Sequence, residues 1–458
     1  MMNTQTSTYY NQLYTLDILN QMKVHIQINE NPYGIDPARL FKMAARINKK
    51  RSFLFVSNVL GKHVPIHPQK GLAIGLILAS RYMEAVHNKD TDRKELFIQS
   101  LLKDNVKLKD SPFIDEEVHP VIIGFAETAT ALGHSFYQSF HHADFFHTTR
   151  ENIKGLPSII NFEEEHSHAT SHRSYVNEKL LNNQREIILV DDEITTGKTA
   201  INIIRSLHDK YPRQSYTVVS ILDWRTMEHK HQFTSLEKEL DITINNVSLL
   251  SGTIKVDGEP PVKNHHSSCN EPATSQLIEE IFIESEFPHL LSNVKYSSES
   301  LSGQENNIPY LYETGRFGLH SSENQMIHEK LTEIAATLKG RRNGGKTLCL
   351  GTGEFMYVPM KLAAMMGDDV YYQSTTRSPI YIEDKAGYGA RFGLSYPNPE
   401  DEEISHFVYN IPPHEYEDIF IFFERFISKR SLSPLLEELA HTFIGKINLV
   451  YFTGGPAQ

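Results

Sequence analysis

Short, mostly apolar runs of residues alternate with amphipathic segments along the chain. The runs lie at residues 53–56, 121–123, 143–147, 187–190, 216–222 and 242–250. They are typical of strands buried on both faces of a parallel sheet, whereas residues 71–85 and 200–207 have the apolar spacing of helices. An alternating strand is predicted at 22–28, and a helix from Asp36 to about residue 47. The pattern therefore predicts an α/β fold with an open, mostly parallel sheet flanked by helices.

The second half of the chain repeats part of the first. A predicted strand, helix and strand at 348–350, 355–366 and 370–373 follow the order seen after residue 121. Gly124 precedes Glu127 by 3 residues, as Gly351 precedes Glu354. Each glutamate precedes an arginine, Arg150 or Arg377, by 23 residues. The equal spacing indicates an internal duplication. On this basis we expect the strand at 447–450 to correspond to the strand at 187–190.

At 458 residues, the chain is longer than a single ordinary core requires, so two domains are expected. The predicted first domain spans residues 1–255 and the second spans 308–458. Residues 256–307 contain proline and serine clusters and are predicted to be a linker, with one short helix at 275–283. The second domain is expected to be a degenerate copy of the first.

Composition indicates which classes of binding partner the protein is not expected to have. The net charge of −12 gives no general attraction for nucleic acid. The two cysteines, Cys269 and Cys349, form neither a disulfide framework nor a zinc site. No apolar run has the length of a membrane span, and residues 1–10 lack the core of a signal peptide. We therefore expect a cytoplasmic protein that binds small molecules, with no nucleic acid or membrane partner.

The stretch from Arg185 to Thr199 contains the strongest candidate chemistry. Asp191 and Asp192 follow the buried run at 187–190, and a hydroxyl-rich loop with Gly197 then leads into a predicted helix. Ligands bind at such strand ends, and backbone N–H groups at a helix start attract anions. The pattern indicates a ligand with a phosphate for the loop and hydroxyls for the carboxylates, such as ribose 5-phosphate. A Walker A loop is excluded because Asp192 stands where that motif requires glycine.

This stretch resembles the phosphoribosyl diphosphate (PRPP) loop of type I phosphoribosyltransferases. The resemblance implies that Asp191 and Asp192, with the adjacent Glu193, bind the ribose and that Mg²⁺ arrives with PRPP. It also implies that the 5-phosphate lies in a loop made of Thr195, Thr196, Gly197, Lys198 and Thr199. Threonine at position 195 is similar to orotate-type members, whereas purine-salvage members carry an acid there. A side-chain base from this loop is therefore not expected.

Three segments are candidates for binding the pyrophosphate group of PRPP. Lys62 follows a buried strand in a Gly-Lys-His turn and either contacts phosphate or is an ordinary exposed lysine. The small residues after the strand at 121–123 resemble the family's pyrophosphate loop, which here comprises Ala126, Glu127, Thr128, Ala129 and Thr130. Glu127 either orients a magnesium-bound water or caps the next helix. Arg150 matches a cationic segment that grips pyrophosphate in orotate-type members.

The polar stretch at 161–173 has no apolar period and lies between two ligand-proximal strands. It is interpreted as a mobile catalytic hood, in which His166 and His168 protonate the leaving group or serve the acceptor. The same histidines are also compatible with a metal site or a solvated loop. Trp224, at a predicted strand end, either stacks on a planar base or belongs to the core.

The C-terminal half resembles the TRSP domain through Thr376-Arg377-Ser378-Pro379 and Gly315-Arg316-Phe317-Gly318. That domain follows a phosphoribosyltransferase domain in proteins of bacterial tellurite-resistance and stress gene clusters. With no pair of acids expected after residues 447–450, the second domain should bind a related ligand or contribute to a shared cleft. The candidate residues for either role are Arg316, Gly351, Gly353, Glu354, Thr376, Arg377 and Ser378.

Taken together, these resemblances imply a magnesium-dependent phosphoribosyltransferase that moves ribose 5-phosphate from PRPP onto a nitrogenous base or amine. The product expected is a nucleotide-like metabolite of a stress or tellurite-resistance pathway. The alternatives are a PRPP- or nucleotide-sensing regulator without turnover, and the reverse reaction that releases a base from a nucleotide. A homodimer and contacts with other proteins of the same gene cluster are further expectations of the resemblance.

Overall fold

A computed structural model describes residues 12–47, 52–104, 106, 108, 111–163, 171–260 and 276–455. The strands of the first half are β1 Gln12–Ile18, β2 Met22–Glu30, β3 Phe41–Ala45, β4 Phe53–Ser57, β5 Val121–Gly124, β6 Asp144–His147, β7 Asn152–Ile153, β8 Ile160–Glu163, β9 Ser171–Ser174, β10 Ile187–Ile194, β11 Ser215–Asp223 and β12 Thr243–Gly258. Its helices are α1 Pro37–Leu40, α2 Pro68–His87, α3 Lys94–Leu102, α4 Ala129–Tyr137, α5 Lys198–Lys210 and α6 Met227–Leu240.

The strands of the second half are β13 Leu277–Phe282, β14 Asn293–Val294, β15 Ser298–Glu299, β16 Glu305–Asn306, β17 Tyr310–Leu311, β18 Leu319–His320, β19 Thr347–Gly351, β20 Val370–Ser374, β21 Gly393–Asn398, β22 Asp401–Tyr409, β23 Asp418–Arg425 and β24 Lys446–Thr453. Its helices are α7 Ile283–Glu286, α8 Asn324–Gly340, α9 Tyr357–Met365 and α10 Lys429–Ala440. None of the helices in the described part of the chain is both long enough and apolar enough to cross a membrane.

The first sheet has the order β1-β2-β12-β11-β10-β5-β6-β18. Its five central strands, β12, β11, β10, β5 and β6, are parallel to one another. Strand β2 pairs antiparallel with β12 on one side of this group, and β18 pairs antiparallel with β6 on the other. From β5 the chain moves outward to β6, then returns to β10 and moves the other way through β11 to β12. The order therefore reverses between β5 and β10, which creates a crevice at their carboxyl ends.

The second sheet has the order β13-β24-β23-β19-β20, and its neighbouring strands are parallel. Strands β19, β20, β23 and β24 have the same relative order as β5, β6, β10 and β11. The counterpart of β10 is therefore β23, so the expected match between 447–450 and 187–190 is wrong. Both segments are buried aliphatic runs, and only the strand order distinguishes which of them lies beside the Gly-Glu strand.

Two helix predictions are also wrong. Residues 41–45 form β3, which pairs antiparallel with β4, and only residues 37–40 are helical. Residues 277–282 form β13 because they pair with β24 at the edge of the second sheet. The segment predicted to be a linker thus contributes a strand to the second core. In both cases strand pairing outweighs a local helical pattern.

The two halves share a continuous interior. One apolar cluster contains side chains from both sheets, among them Ile123, Leu132, Phe355 and Tyr372. Helix α4, which follows β5, packs on α9, which follows β19. The His134 and Tyr357 rings stack there with centroids 3.6 Å apart. The equivalent helices of the two halves therefore face each other across the domain boundary.

Candidate functional site

The acidic pair lies at the crevice where the first sheet changes direction. Val190 is paired with Gly124 of β5, and Asp191 and Asp192 follow it within β10 as half-buried residues. The backbone N–H of Asp192 donates to Asp191 Oδ1 at 2.9 Å. Glu193 is also half-buried in this strand. The structure thus places the carboxylates at the strand end that the sequence predicts.

The loop after β10 turns sharply into α5. Thr195 and Thr196 are half-buried, Thr196 Oγ1 accepts from the N–H of Lys198 at 3.3 Å, and α5 continues through Thr199. Gly197 has a φ of +78°, and a Cβ on it would lie 2.4 Å from the Phe233 ring. A residue with a side chain would therefore be strained by both conformation and contact. The tight turn brings the N-terminus of α5 beside the acidic pair.

Asp223, Arg225 and Phe233 support this loop, and the sequence analysis did not assign them a role. The Arg225 guanidinium donates two hydrogen bonds to Asp223, at 2.9 and 2.7 Å, and both side chains are buried. Its guanidinium lies 4.3 Å from the centre of the Phe233 ring. In the sequence, the Asp-Trp-Arg triplet at the end of a predicted strand was the signal that could have indicated this support. Trp224 itself is 3% exposed and stacks on Phe55 at 4.9 Å, which favours the core interpretation over base stacking.

Lys62 reaches the acidic pair from another part of the chain. Its Nζ lies 3.9 Å from Asp192 Oδ2, and its side chain is 18% exposed. The turn that carries it follows β4, which pairs with β3 outside the main sheet. The partly buried ion pair favours the phosphate-contact interpretation of Lys62 over that of an ordinary surface lysine.

The loop predicted to bind pyrophosphate joins β5 to α4 and is buried throughout. Two of its N–H groups are already used: that of Ala126 donates to Thr148 Oγ1 at 2.9 Å and that of Thr130 to Glu127 O at 3.4 Å. The expectation that N–H groups from Ala126 to Thr130 all face a ligand is therefore wrong at both ends. The backbone between them, including Thr128 and Ala129, is the part that still fits the prediction.

Glu127 does not cap α4. The N-cap residue of that helix is Thr128, and the helix start has no side-chain capping hydrogen bond. Its carboxylate is buried and lies 3.5 Å from Nε of Arg377, which comes from the second domain. Burial alone would raise the pKa of Glu127, but Arg377 and Arg150 outweigh it and lower that pKa below its ordinary value. Glu127 is therefore ionised at neutral pH.

Arg150 follows β6, as expected, and it is half-buried. Its backbone N–H donates to Glu354 Oε1 of the second domain at 2.7 Å. Its carbonyl accepts from Arg173, which ends the hood segment, at 3.2 Å. His166 and His168 lie outside the described residues. The structure thus brings Lys62 and Arg150 close enough to Glu127 to lower its pKa, and Lys62 also lies beside Asp192.

Most of the second-domain ligand candidates take part in packing. Arg316 is 1% exposed and binds Glu424 through two contacts of 2.8 Å, and it lies in the wall of a large cleft, so its predicted role there stays a prediction. Gly351 is packed against Phe355 O, and Gly353 donates its N–H to Thr375 Oγ1 at 2.9 Å. Thr376 is buried and its hydroxyl accepts from the N–H of Ser378 at 3.2 Å. Tight packing thus keeps Gly351 and Thr376 away from an open site, whereas Arg316 and Gly353 line the cleft described next.

A cavity of about 760 Å³ lies at the carboxyl ends of β19 and β23. Arg150 and Arg173 of the first domain line it together with Glu354, Arg377 and His406 of the second. Burial lowers the pKa of His406 to about 4, and the neighbouring Glu127 offsets only part of that shift. The Glu354 loop and both arginines therefore line one cleft between the two halves of the chain, and Glu127 lies next to it through its contact with Arg377.

Comparison with protein families gives two matches. Residues 40–253 match a family described as phosphoribosyl transferase. Residues 313–439 match a family described as the TRSP domain C-terminal to that transferase. No curated protein matches the sequence. The matches and the mainly parallel first sheet confirm the predicted α/β fold, and the matches support a phosphoribosyltransferase enzyme with a TRSP domain.

Several solved structures are similar to part of the chain. Adenine phosphoribosyltransferase from Trypanosoma brucei, in complex with AMP, pyrophosphate and ribose-5-phosphate, is 15% identical with a TM-score of 0.30, covering 48% of this chain and 82% of that one. The Leishmania tarentolae enzyme is 14% identical with a TM-score of 0.28, covering 47% and 84%. Orotate phosphoribosyltransferase from Aeropyrum pernix is 14% identical with a TM-score of 0.18, covering 29% and 59%.

Proposed function

We propose that this phosphoribosyltransferase moves ribose 5-phosphate from PRPP to a nitrogenous base or amine and releases pyrophosphate. Asp191 and Asp192 bind the ribose hydroxyls, and the loop from Thr195 to Thr199 binds the 5-phosphate. Lys62, the backbone of residues 127–129 and Arg150 bind pyrophosphate. The observation that carries this proposal is the position of the two aspartates at the crevice between β5 and β10, beside the N-terminus of α5.

The arrangement suits a reaction in which positive charge grows on the ribose ring and negative charge on the leaving group. The ribose C1–O bond to pyrophosphate breaks as the acceptor nitrogen forms its bond to C1, and the bond electrons leave with pyrophosphate. Carboxylates lie on the ribose side, and Lys62 and Arg150 lie on the leaving-group side. Fixed charges at these places stabilise the transition state without rearrangement. Preorganised geometry alone can supply roughly 7–11 kcal/mol.

The residues present fit a magnesium ion delivered with PRPP. Carboxylate oxygens are preferred ligands of Mg²⁺, and Asp191 and Asp192 place such oxygens at the strand end. The ion would supply positive charge to the pyrophosphate oxygens. Asp192 already has Lys62 at 3.9 Å, so this lysine holds the carboxylate in place between ligands.

The test is calorimetric titration of PRPP with Mg²⁺ into the wild-type chain and into an Asp191→Asn/Asp192→Asn variant. Binding in the wild type and its loss in the variant are expected, because the variant keeps the shape of the site and removes both charges. Pyrophosphate release on adding pooled bases and amines then identifies the acceptor. Wild-type protein that does not bind PRPP would contradict the proposal.

The same experiment separates the transferase from its alternatives. Binding without pyrophosphate release from any acceptor would favour a PRPP or nucleotide sensor. Release of a base from nucleotides in the presence of pyrophosphate would favour the reverse direction. The proposed cellular role, synthesis of a nucleotide-like metabolite in a bacterial stress or tellurite-resistance pathway, rests on the TRSP resemblance. Deleting the coding sequence should then reduce tellurite tolerance.

A further inference from the structure

The two Gly-Glu loops exchange contacts across the domain boundary. Glu127 of the first domain lies 3.5 Å from Arg377 of the second. Glu354 of the second domain accepts the N–H of Arg150 of the first at 2.7 Å. Glu127 and Glu354 follow equivalent strands, and so do Arg150 and Arg377. Each domain therefore uses its glutamate to hold the arginine turn of the other, as in an internal dimer.

The Lys62 turn is also held by the second domain. Strand β20 pairs with it through Tyr372, whose backbone forms hydrogen bonds with Ile66 at 2.8 and 3.0 Å. Ser374 donates its N–H to Gly61 O at 2.7 Å. Asn410 donates its side-chain N–H to His63 O at 2.7 Å. Three backbone positions around Lys62 are thus fixed by the TRSP half of the chain.

The turn that carries Arg150 makes several side-chain contacts with the second domain through Glu151. The next residue, Glu151, accepts from Tyr310 Oη at 2.6 Å and pairs with Arg425 at 2.9 Å. Arg316 lies 3.5 Å from its other oxygen. Burial alone would raise the pKa of Glu151, but Arg425 and Arg316 outweigh it and lower that pKa to about 2. Glu151 is therefore a half-buried, charged anchor held by side chains from the second half of the chain.

The ribose 5-phosphate side is supported differently. Gly197 and its loop pack on Phe233, and Arg225 pairs with Asp223, all within the first domain. The acidic pair lies in β10 between β5 and β11, again in the first sheet. The two halves of the transferase site thus have different supports: the first domain holds the ribose 5-phosphate half, and the TRSP domain holds the pyrophosphate half.

We propose that the TRSP domain positions the pyrophosphate side of the transferase site, with Arg377 and Glu354 as positioning residues. Arg377 neutralises Glu127, whose carboxylate would otherwise repel pyrophosphate from the loop after β5. Glu354 fixes the backbone of Arg150 so that its guanidinium faces the leaving group. This inference rests on the proposed function, because it assigns pyrophosphate to that side of the site.

The test uses full-length protein and two ligands that report the two halves separately. Ribose 5-phosphate and magnesium pyrophosphate are each titrated into the wild type, Arg377→Gln and Glu354→Ala, since a glutamine at position 354 could still accept the Arg150 N–H. Losing a charged contact in a buried setting should weaken pyrophosphate binding by about tenfold in both variants. The dissociation constant for ribose 5-phosphate should change less than about twofold, as expected for a site supported by the other domain.

A double-mutant cycle tests whether Arg377 acts through Glu127. In a Glu127→Gln background, Arg377→Gln should change pyrophosphate affinity by less than about twofold, because the charge that Arg377 neutralises is already gone. Arg377→Lys should restore part of the affinity, since it restores the charge. Arg391→Gln is the matched control: this exposed arginine of the same domain pairs with Asp384 and should leave both ligands unaffected.

The possible results separate this inference from the proposed function. Selective loss of pyrophosphate binding, reversed by Arg377→Lys, supports the positioning role. Equal weakening of both ligands, or unchanged pyrophosphate binding in both variants, overturns it while ribose 5-phosphate binding still supports the transferase. A wild-type chain that binds neither ligand overturns the proposed function and this inference with it.

Discussion

Glu424 occupies in the second sheet the position that Asp192 occupies in the first. Val190 pairs with Gly124 and Phe422 pairs with Gly351, and each acid lies two residues further along its strand. Their surroundings differ. Asp192 faces Lys62 at 3.9 Å in a partly open crevice, whereas Glu424 is 8% exposed and clamped by Arg316. Position 423, the counterpart of Asp191, is a phenylalanine. The end of β23 therefore offers no counterpart of the Asp191–Asp192 pair for a ribose.

The first prediction follows from this difference. We expect PRPP to bind with a stoichiometry of one per chain, and the Asp191→Asn/Asp192→Asn variant to retain no second, weaker site. Both values come from calorimetric titration carried to saturating ligand. Phe423→Ala, which alters the equivalent position in the second sheet, serves as the control and should leave the stoichiometry at one. A second binding event that survives the double substitution would show that the TRSP crevice holds PRPP.

The sequence predicted where the acidic pair and the glycine turn lie because that signal is local. Asp191, Asp192 and Gly197 follow one buried strand, and a strand, an acidic pair and a glycine turn are readable from contiguous residues. The approach of Lys62 to Asp192 depends on where β20 holds the Lys62 turn, which no local pattern encodes. The wrong match at residues 447–450 has the same origin. Buried aliphatic strands look alike in sequence, and their order in a sheet is set by pairing between distant segments.

A glycine substitution should separate steric contact from backbone strain in the 5-phosphate loop. Gly197→Ala places a Cβ 2.4 Å from the Phe233 ring at a φ of +78°. We expect it to destabilise the protein by about 1–3 kcal/mol and to weaken ribose 5-phosphate binding at least about tenfold. Urea unfolding and calorimetry measure the two effects.

Gly155→Ala is the matched control for that prediction. Gly155 has a nearly identical φ of +76°, and nothing lies within 4 Å of the Cβ that alanine would add. It should therefore incur only the conformational cost, about 1 kcal/mol, with ligand binding intact. Equal effects of the two alanines on stability and binding would mean that contact with Phe233 does not shape the loop.

Acidification should destabilise the protein through His406. Burial lowers its pKa in the folded chain to about 4, below the ordinary value, so the unfolded chain takes up the proton first as the pH falls. The associated stability is fully present above about pH 6.5 and is lost between about 6.5 and 4, at roughly 1.4 kcal/mol per pH unit. Urea unfolding of His406→Gln across this window should show a correspondingly shallower slope. Parallel slopes for the wild type and the variant would contradict this assignment.

The buried ionic cluster at the domain boundary should dominate the electrostatic contribution to stability. Arg425 is 3% exposed, contacts Glu151 at 2.9 Å and Glu400 at 2.8 Å, and lies 4.3 Å from the Tyr310 ring centre. Arg425→Met would leave Glu151 and Glu400, whose side chains are 24% and 36% exposed, without this buried partner, at a cost of about 1–3 kcal/mol at pH 7.

The exposed pair of Arg391 and Asp384 provides the comparison. Arg391→Met should cost less than about 1 kcal/mol, because water solvates the partner left behind. The cost of Arg425→Met should also decrease towards pH 5, since burial raises the pKa of Glu400 and a protonated Glu400 no longer needs a counter-charge. Urea unfolding of both variants at pH 7 and pH 5 measures all four values. A pH-independent cost at Arg425, or a cost no larger than that at Arg391, would mean that packing rather than charge holds this residue in place.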